Sequence, residues 1–151
     1  MASWRQQALI EAPVEHVWAL LEDPARFPQW NDSVTVTGAP TRIEKGSELE
    51  VHGRGPLRLK ANTTFKVEEL EEMREIKLRC QTSGFYSRWL LTEAQGDTFA
   101  EVEIGVEPVA GIEGRALKAI HTKGYLRRAA EASLDGIRRT LAGAVPSAGR
   151  E

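Results

Sequence analysis

The sequence predicts an α+β domain, a seven-stranded antiparallel sheet covered on one face by a long carboxy-terminal helix. Three observations predict it. Apolar residues recur at every second position through most of Ser33 to Glu107. Gly and Pro punctuate that stretch at short intervals. After Gly114 the composition turns to Ala, Leu, Arg and Lys with helical spacing. Strands joined by connections too short for crossovers must run antiparallel, and a helix that follows them all is left to one side of the sheet.

In chain order, Ser3 to Glu11 alternates as a first strand, with Trp4, Gln6, Ala8 and Ile10 on one face. Pro13 stands at a first helical position, where its missing N–H costs nothing. Val14, Val17, Trp18 and Leu21 then fall on one side of a helix of two to three turns. Asp23 before Pro24 is biased away from helical geometry and can cap a second short helix, Pro24 to Phe27, which Pro28 is expected to stop. Six strands are expected between Ser33 and Glu107. The clearest is Leu57 to Glu69, where Leu59, Ala61, Thr63, Phe65 and Val67 alternate with polar residues. Ala100, Val102, Ile104 and Val106 alternate likewise with glutamates, Ile76 and Leu78 point inward from Glu75 to Arg79, and Trp89 and Leu91 from Ser87 to Glu93. In the last helix, which ends near Gly143, Ala116, Ala119, Ile120, Leu126, Ala130, Leu134, Ile137 and Leu141 share a broad apolar face.

A chain of 151 residues suits one self-sufficient core, expected over residues 1–143, with 144–151 a small, polar, disordered tail. Twenty basic against 22 acidic residues, a formal net charge of -2, give no global field to draw in nucleic acid or an anionic membrane. The single cysteine, Cys80, cannot form an intramolecular disulfide, and the chain start lacks a basic region followed by an apolar run, so a cytoplasmic address is expected. No window approaches the ~18 consecutive apolar residues of a membrane span.

Several stretches carry a resemblance. Ala12-Pro13-Val14-Glu15-His16-Val17-Trp18, then Asp23-Pro24 with Trp30, then Trp89-Leu90-Leu91 before Gly96-Asp97-Thr98, and Leu134-Asp135-Gly136-Ile137-Arg138 resemble the START, polyketide cyclase and pathogenesis-related superfamily. The likeness runs from about Trp4 to Leu141 and is nearest to the polyketide cyclase/dehydrase branch. It implies the helix-grip fold, with a ligand cavity between the concave face of the sheet and the long helix. Each of these stretches has a structural reason, and none is a catalytic motif, so the resemblance implies a fold before it implies an activity.

The residues bear on that cavity independently. Ala116, Ala119 and Ala130, with Gly124 nearby, are small where a solid core would take Leu or Phe, so the helix can stand off a space. Thr63, Phe65, Trp89 and Leu91 supply a mostly apolar wall opposite. The alternative is that Phe65 and Trp89 fill the room those alanines leave. Lys123 falls in helical phase between Ala119 and Leu126, inside the apolar face, where its ammonium must be paired, contact a ligand, or snorkel to solvent on its four-carbon stem. The expected ligand-binding set is therefore Thr63, Phe65, Tyr86, Trp89, Leu91, Ala119, Lys123 and Leu126. The Gly53 to Leu57, Ser83 to Tyr86 and Val109 to Gly114 segments combine glycines with apolar residues (Leu57, Phe85, Tyr86, Ile112) and would gate the space.

Other chemistries find little footing. His16, His52 and His121 converge on no metal-ligand spacing, and Cys80 has no Cys or His three or four residues away. His16, His52 and His121 read as surface residues. Gly53-Arg54-Gly55-Pro56 has the glycines of a phosphate loop but precedes a strand instead of a helix. No cofactor is expected. Glu68, Glu69, Glu71 and Glu72 read as solvated charges at a strand end. The basic residues of the last helix are balanced by Glu131 and Asp135 and accompanied only by Tyr125, which argues against nucleic acid. Three functions remain. The first is a binding module for a small hydrophobic molecule, aromatic or lipid-like. The second is a cyclase or dehydratase using the same cavity with Lys123, Thr63 and Tyr86 as its polar groups. The third is a protein-interaction module with a filled cavity and an exposed apolar patch around Phe27 and Trp30.

Overall fold

A computed structural model describes residues 2–54, 60–107 and 123–144. Strand β1 (Ala2–Ile10) leads into helix α1 (Val14–Leu21), a 3-10 turn (Pro24–Arg26) and helix α2 (Phe27–Trp30). Strands β2 (Val34–Gly38), β3 (Glu48–Arg54), β4 (Lys60–Glu71), β5 (Glu75–Cys80), β6 (Phe85–Ala94) and β7 (Asp97–Val106) follow, and helix α3 (Lys123–Ala144) comes last. The strands form one antiparallel sheet in the order β1-β7-β6-β5-β4-β3-β2. This is the helix-grip arrangement, with α3 lying mainly on β1, β7 and α2. The segment expected to open the long helix, including Ala116, Ala119, Ile120 and His121, lies outside the described residues, as do Leu57, the Val109 to Gly114 segment and the tail from 145.

Local chemistry accounts for the joints. After β1, the hydroxyl of Thr98 donates to the carbonyl of Ala12 at 2.8 Å, which anchors the entry to α1 in the core. Asp23 accepts from the amide of Ala25 and caps the 3-10 turn. Pro28 does not stop the second helix as expected. It sits in the first turn of α2, where proline's fixed φ and absent N–H are harmless, and the helix runs on to Trp30. The β6–β7 hairpin closes through Gln95 and Gly96, both at positive φ (54° and 89°), a two-residue connection whose twist matches the strands it joins.

The core gathers between the sheet and the helices. Trp18, Trp30 and Trp89 are all buried there, with Trp30 packed edge-on against both Trp89 (5.7 Å between ring centroids) and Phe27 (5.5 Å). The indole of Trp30 also donates to the carbonyl of Leu20. Phe27 and Trp30 are thus 5% and 9% exposed, and the surface patch expected around them does not exist. Helix α3 approaches α2 through Gly136. A Cβ there would lie 1.9 Å from the carbonyl oxygen of Trp30, so only glycine permits the contact, and Thr140 donates to the carbonyl of Gln29 one turn later.

Candidate functional site

The inner face of the sheet changes character along its strands. On β6, Leu91 and Trp89 are buried while Ser87 and Phe85, two and four residues nearer the β5–β6 turn, are only partly so. On β4, Val67 is fully buried while Phe65 and Thr63 are partly exposed, and on β1 Ile10 is buried while Ala8, Gln6 and Trp4 are partly exposed. The register carries one face through these positions: Trp4 opposes Ile104, which opposes Ser87, which opposes Leu78, while Thr63 opposes Val51 and Val51 opposes Val36. One end of the inner face is packed by tryptophans, and toward the other a wall of the partly exposed Trp4, Ser87, Phe85, Phe65 and Thr63 stands beside the buried Ile104, Val106, Cys80, Leu49 and Val51.

Helix α3 explains the difference. At about 100° per residue, Tyr125, Ala129, Gly136 and Thr140 share one stripe of the helix. In the carboxy-terminal half that stripe is closed by α2, through Gly136 and Thr140. In the amino-terminal half it carries Tyr125 and Ala129, which pack on the core and stay partly exposed. The neighbouring stripe, Leu126, Ala130, Leu134, Ile137 and Leu141, is buried along its whole length.

The expected site residues divide accordingly. Thr63 and Phe65 stand on the open wall. Trp89 and Leu91 share their face but belong to the packed end, and Leu126 is wholly buried in the core cluster. Trp89 packs against Trp30 of α2, and Phe65 packs on the core while staying partly exposed. Ala119 lies outside the described residues. Lys123 opens α3, and its side chain is likewise outside them. Tyr86 is a correction: it lies on the opposite, outer face. Phe85, Ser87, Trp89 and Leu91 hold the inward positions of β6, so a residue of the other parity must point away. The inward residue beside the Ser83–Gly84 turn is Phe85. Tyr125 had drawn notice in the sequence only as an isolated aromatic. Spacing puts it on one stripe with Ala129 and Gly136, and the contact of Gly136 with α2 gives that stripe its meaning.

The outer face is built from charge. Lys77 reaches Glu107 at 2.6 Å and Glu68 at 3.3 Å, Arg79 reaches Glu68 at 3.1 Å, Arg88 reaches Glu75 at 2.6 Å and Arg5 reaches Glu103 at 3.3 Å. A register shift in β4 between Val67 and Glu69 turns the Glu68 side chain toward Lys77 and Arg79, so this glutamate is paired within the sheet and not simply solvated at a strand end. Burial works against its charge, but the hydrogen bonds from Arg79 and Lys77 win and hold its carboxyl below the ordinary 4.5. Burial opposes the Lys77 ammonium too, and Glu107 and Glu68 together raise it above 10.5. Tyr86 lies beneath Lys77, whose ammonium is 4.8 Å from the ring centroid, and opposite Gly105, which has no side chain to compete for that space. Arg5, Glu69, Glu75, Lys77, Tyr86, Arg88, Glu103 and Glu107 surround a shallow basin of about 470 Å³. Its charges are largely satisfied by one another, so it offers a ligand little unspent attraction.

Among the described residues no three His, Cys, Asp or Glu side chains gather as a metal site, and no helix is long and apolar enough to cross a membrane. His16 is exposed, and His52 is hydrogen-bonded to Asn62.

Solved structures share the fold across nearly the whole chain. An AHSA1-like protein from Aeromonas hydrophila superposes with a TM-score of 0.67 at 17% identity, covering 94% of this chain and 93% of that one. A protein from Nitrosomonas europaea gives 0.71 at 11%, covering 94% and 95%. One from Arthrobacter aurescens gives 0.72 at 15%, covering 93% and 86%. No curated protein matches the sequence. Residues 1–142 match the family described as polyketide cyclase / dehydrase and lipid transport, and with the sheet, the gripping helix and the inner wall in place, the chain belongs to that family.

Proposed function

We propose that the protein binds a small hydrophobic molecule, aromatic or lipid-like, between the open end of the inner sheet face and the amino-terminal half of α3. The observation that carries this reading is the contrast along one face. Apolar side chains are sealed by the tryptophans at one end, whereas the wall toward the other, Trp4, Phe65, Leu78, Phe85, Tyr125 and Ala129, packs on the core yet stays partly exposed, beside the buried Ile104, Val106, Cys80 and Leu49. Thr63 belongs to that wall, Trp89, Leu91 and Leu126 form its floor, and Ala119 and Lys123 are assigned to its helix side from their sequence phase. Membership in a family described by cyclase, dehydrase and lipid transport activities agrees with a cavity that holds such molecules, and a cytoplasmic carrier is the simplest use of it.

Mass spectrometry of the purified protein, native and then denaturing, tests the reading. A stoichiometric small apolar molecule is expected, and saturating ligand should raise Tm on the order of 5–10 °C at a hundredfold excess over Kd. If nothing co-purifies, and fatty acids, flavonoids and aromatic polyketides all leave Tm unmoved, the reading is wrong.

A further inference from the structure

We infer that Tyr125 determines specificity at this site, donating its phenolic hydrogen to a neutral carbonyl, a ketone or an ester, at the polar end of the bound molecule. This rests on the binding reading above. The inference comes from how polar groups are sorted between the two faces of the sheet. Every strand lysine and arginine with a described side chain, Arg5, Lys66, Lys77, Arg79 and Arg88, lies on the outer face. Among the described side chains, the polar groups on the open inner wall are Gln6, Thr63, Ser87 and Tyr125, all uncharged. On α3, Arg127 and Arg128 are exposed.

These groups do not offer equivalent hydrogen bonds. Gln6 is tied to its own strand, its amide oxygen accepting from the indole of Trp4 at 3.0 Å, Thr63 stands toward the far edge of the wall, and Ser87 carries its hydroxyl on a short stem close to the sheet. Tyr125 is the large amphipathic residue on the helix side, one position from the wholly buried Leu126 and one turn before Ala129. Its ring can cover an apolar ligand while its hydroxyl meets the ligand's polar end. Burial raises the phenol above its ordinary value of 10.0, so it stays protonated and remains a donor at neutral pH. A carboxylate brought against this wall would lose its hydration with no described cation in place of it. A neutral carbonyl has far less hydration to lose, and the phenol restores one of its hydrogen bonds.

Three probes of matched size separate the possibilities by calorimetry: 2-acetylnaphthalene, 2-naphthoic acid and 2-ethylnaphthalene, each with the native protein, Tyr125→Phe and Lys123→Met. The ketone is expected to bind about tenfold more tightly than the hydrocarbon or the acid, the difference one hydrogen bond makes. Tyr125→Phe should abolish that preference by weakening the ketone about tenfold, to the level of the hydrocarbon. Equal binding of all three overturns the inference and leaves the binding site standing. So does a ketone preference that survives in Tyr125→Phe, or an acid that binds best and weakens in Lys123→Met. If none of the three binds, the site itself is refuted, and the role of Tyr125 with it.

Discussion

Tyr86 and Trp89 are three residues apart on one strand and almost equally hidden, at 3% and 2% exposure, for opposite reasons. Trp89 is buried by another indole, on the face that α3 covers. Tyr86 is buried under a lysine that two glutamates hold in place, on the outer face. One strand therefore borders two different environments, an apolar interior that opens toward one end and a network of charges that closes over its own aromatic. Low exposure alone says nothing about which residue could meet a ligand. What distinguishes them is whether the covering groups already satisfy one another.

The comparison can be broken most forcefully at Trp30. Trp30→Ala removes the edge contacts to Trp89 and Phe27 and the hydrogen bond to Leu20. A loss of about 3–5 kcal/mol is expected on denaturant unfolding, as for other buried tryptophans. A loss under about 1 kcal/mol would mean the indole cluster is not the keystone of the packed end.

The outer face should respond less and should respond to pH. Lys77→Met keeps an apolar cover over Tyr86 but strands Glu107 and deprives Glu68 of one of its two partners, for a loss of about 1–2 kcal/mol at neutral pH. The sign follows from the two shifts. Because the Glu68 carboxyl sits below 4.5 in the folded protein, its contribution is present above 4.5 and vanishes as pH falls through the lowered value. Because Lys77 sits above 10.5, its contribution is present below 10.5 and vanishes as pH rises through the raised value. Wild type and variant should thus converge at both extremes and differ most between them. A difference that stays constant from acid to alkali would mean lost packing instead of lost charge pairing.

Much of this was legible beforehand because strand parity and helical phase are local. The inward positions of β1, β4, β6 and β7 and the buried stripe of α3 follow from spacing alone. What escaped depended on partners distant in the chain. Trp30 reads as a candidate surface aromatic until Trp89, 59 residues on, is brought against it. Glu68 reads as solvated until the register shift in β4 turns it to Lys77 and Arg79. Tyr86 was misplaced for a different reason. As a turn residue it escaped the parity rule that already forbade it the face of Trp89. Tyr125 was passed over because its meaning depends on where α2 ends against α3, which only the close approach at Gly136 reveals.

The smallest expected change in stability is at Phe65, and it sharpens the comparison most. Phe65 shares the inner face with the buried Leu49 and Cys80 across its neighbouring strands, yet it remains partly exposed itself. If that exposure marks a wall built for a ligand, Phe65→Ala should cost only about 1 kcal/mol of unfolding free energy, because the part of the ring left exposed in the free protein contributes no transfer energy. The same truncation should weaken a bound aromatic probe about tenfold or more, since the ligand would complete the burial that the protein alone leaves unfinished. Unfolding in denaturant and probe titration on one preparation read both numbers. A large stability loss with unchanged affinity would place Phe65 with Trp89 in the packed core and move the open wall elsewhere. The reverse pattern would make the two ends of one sheet face differ in purpose as they differ in packing: one end holds the fold together, and the other is left unfilled for a guest.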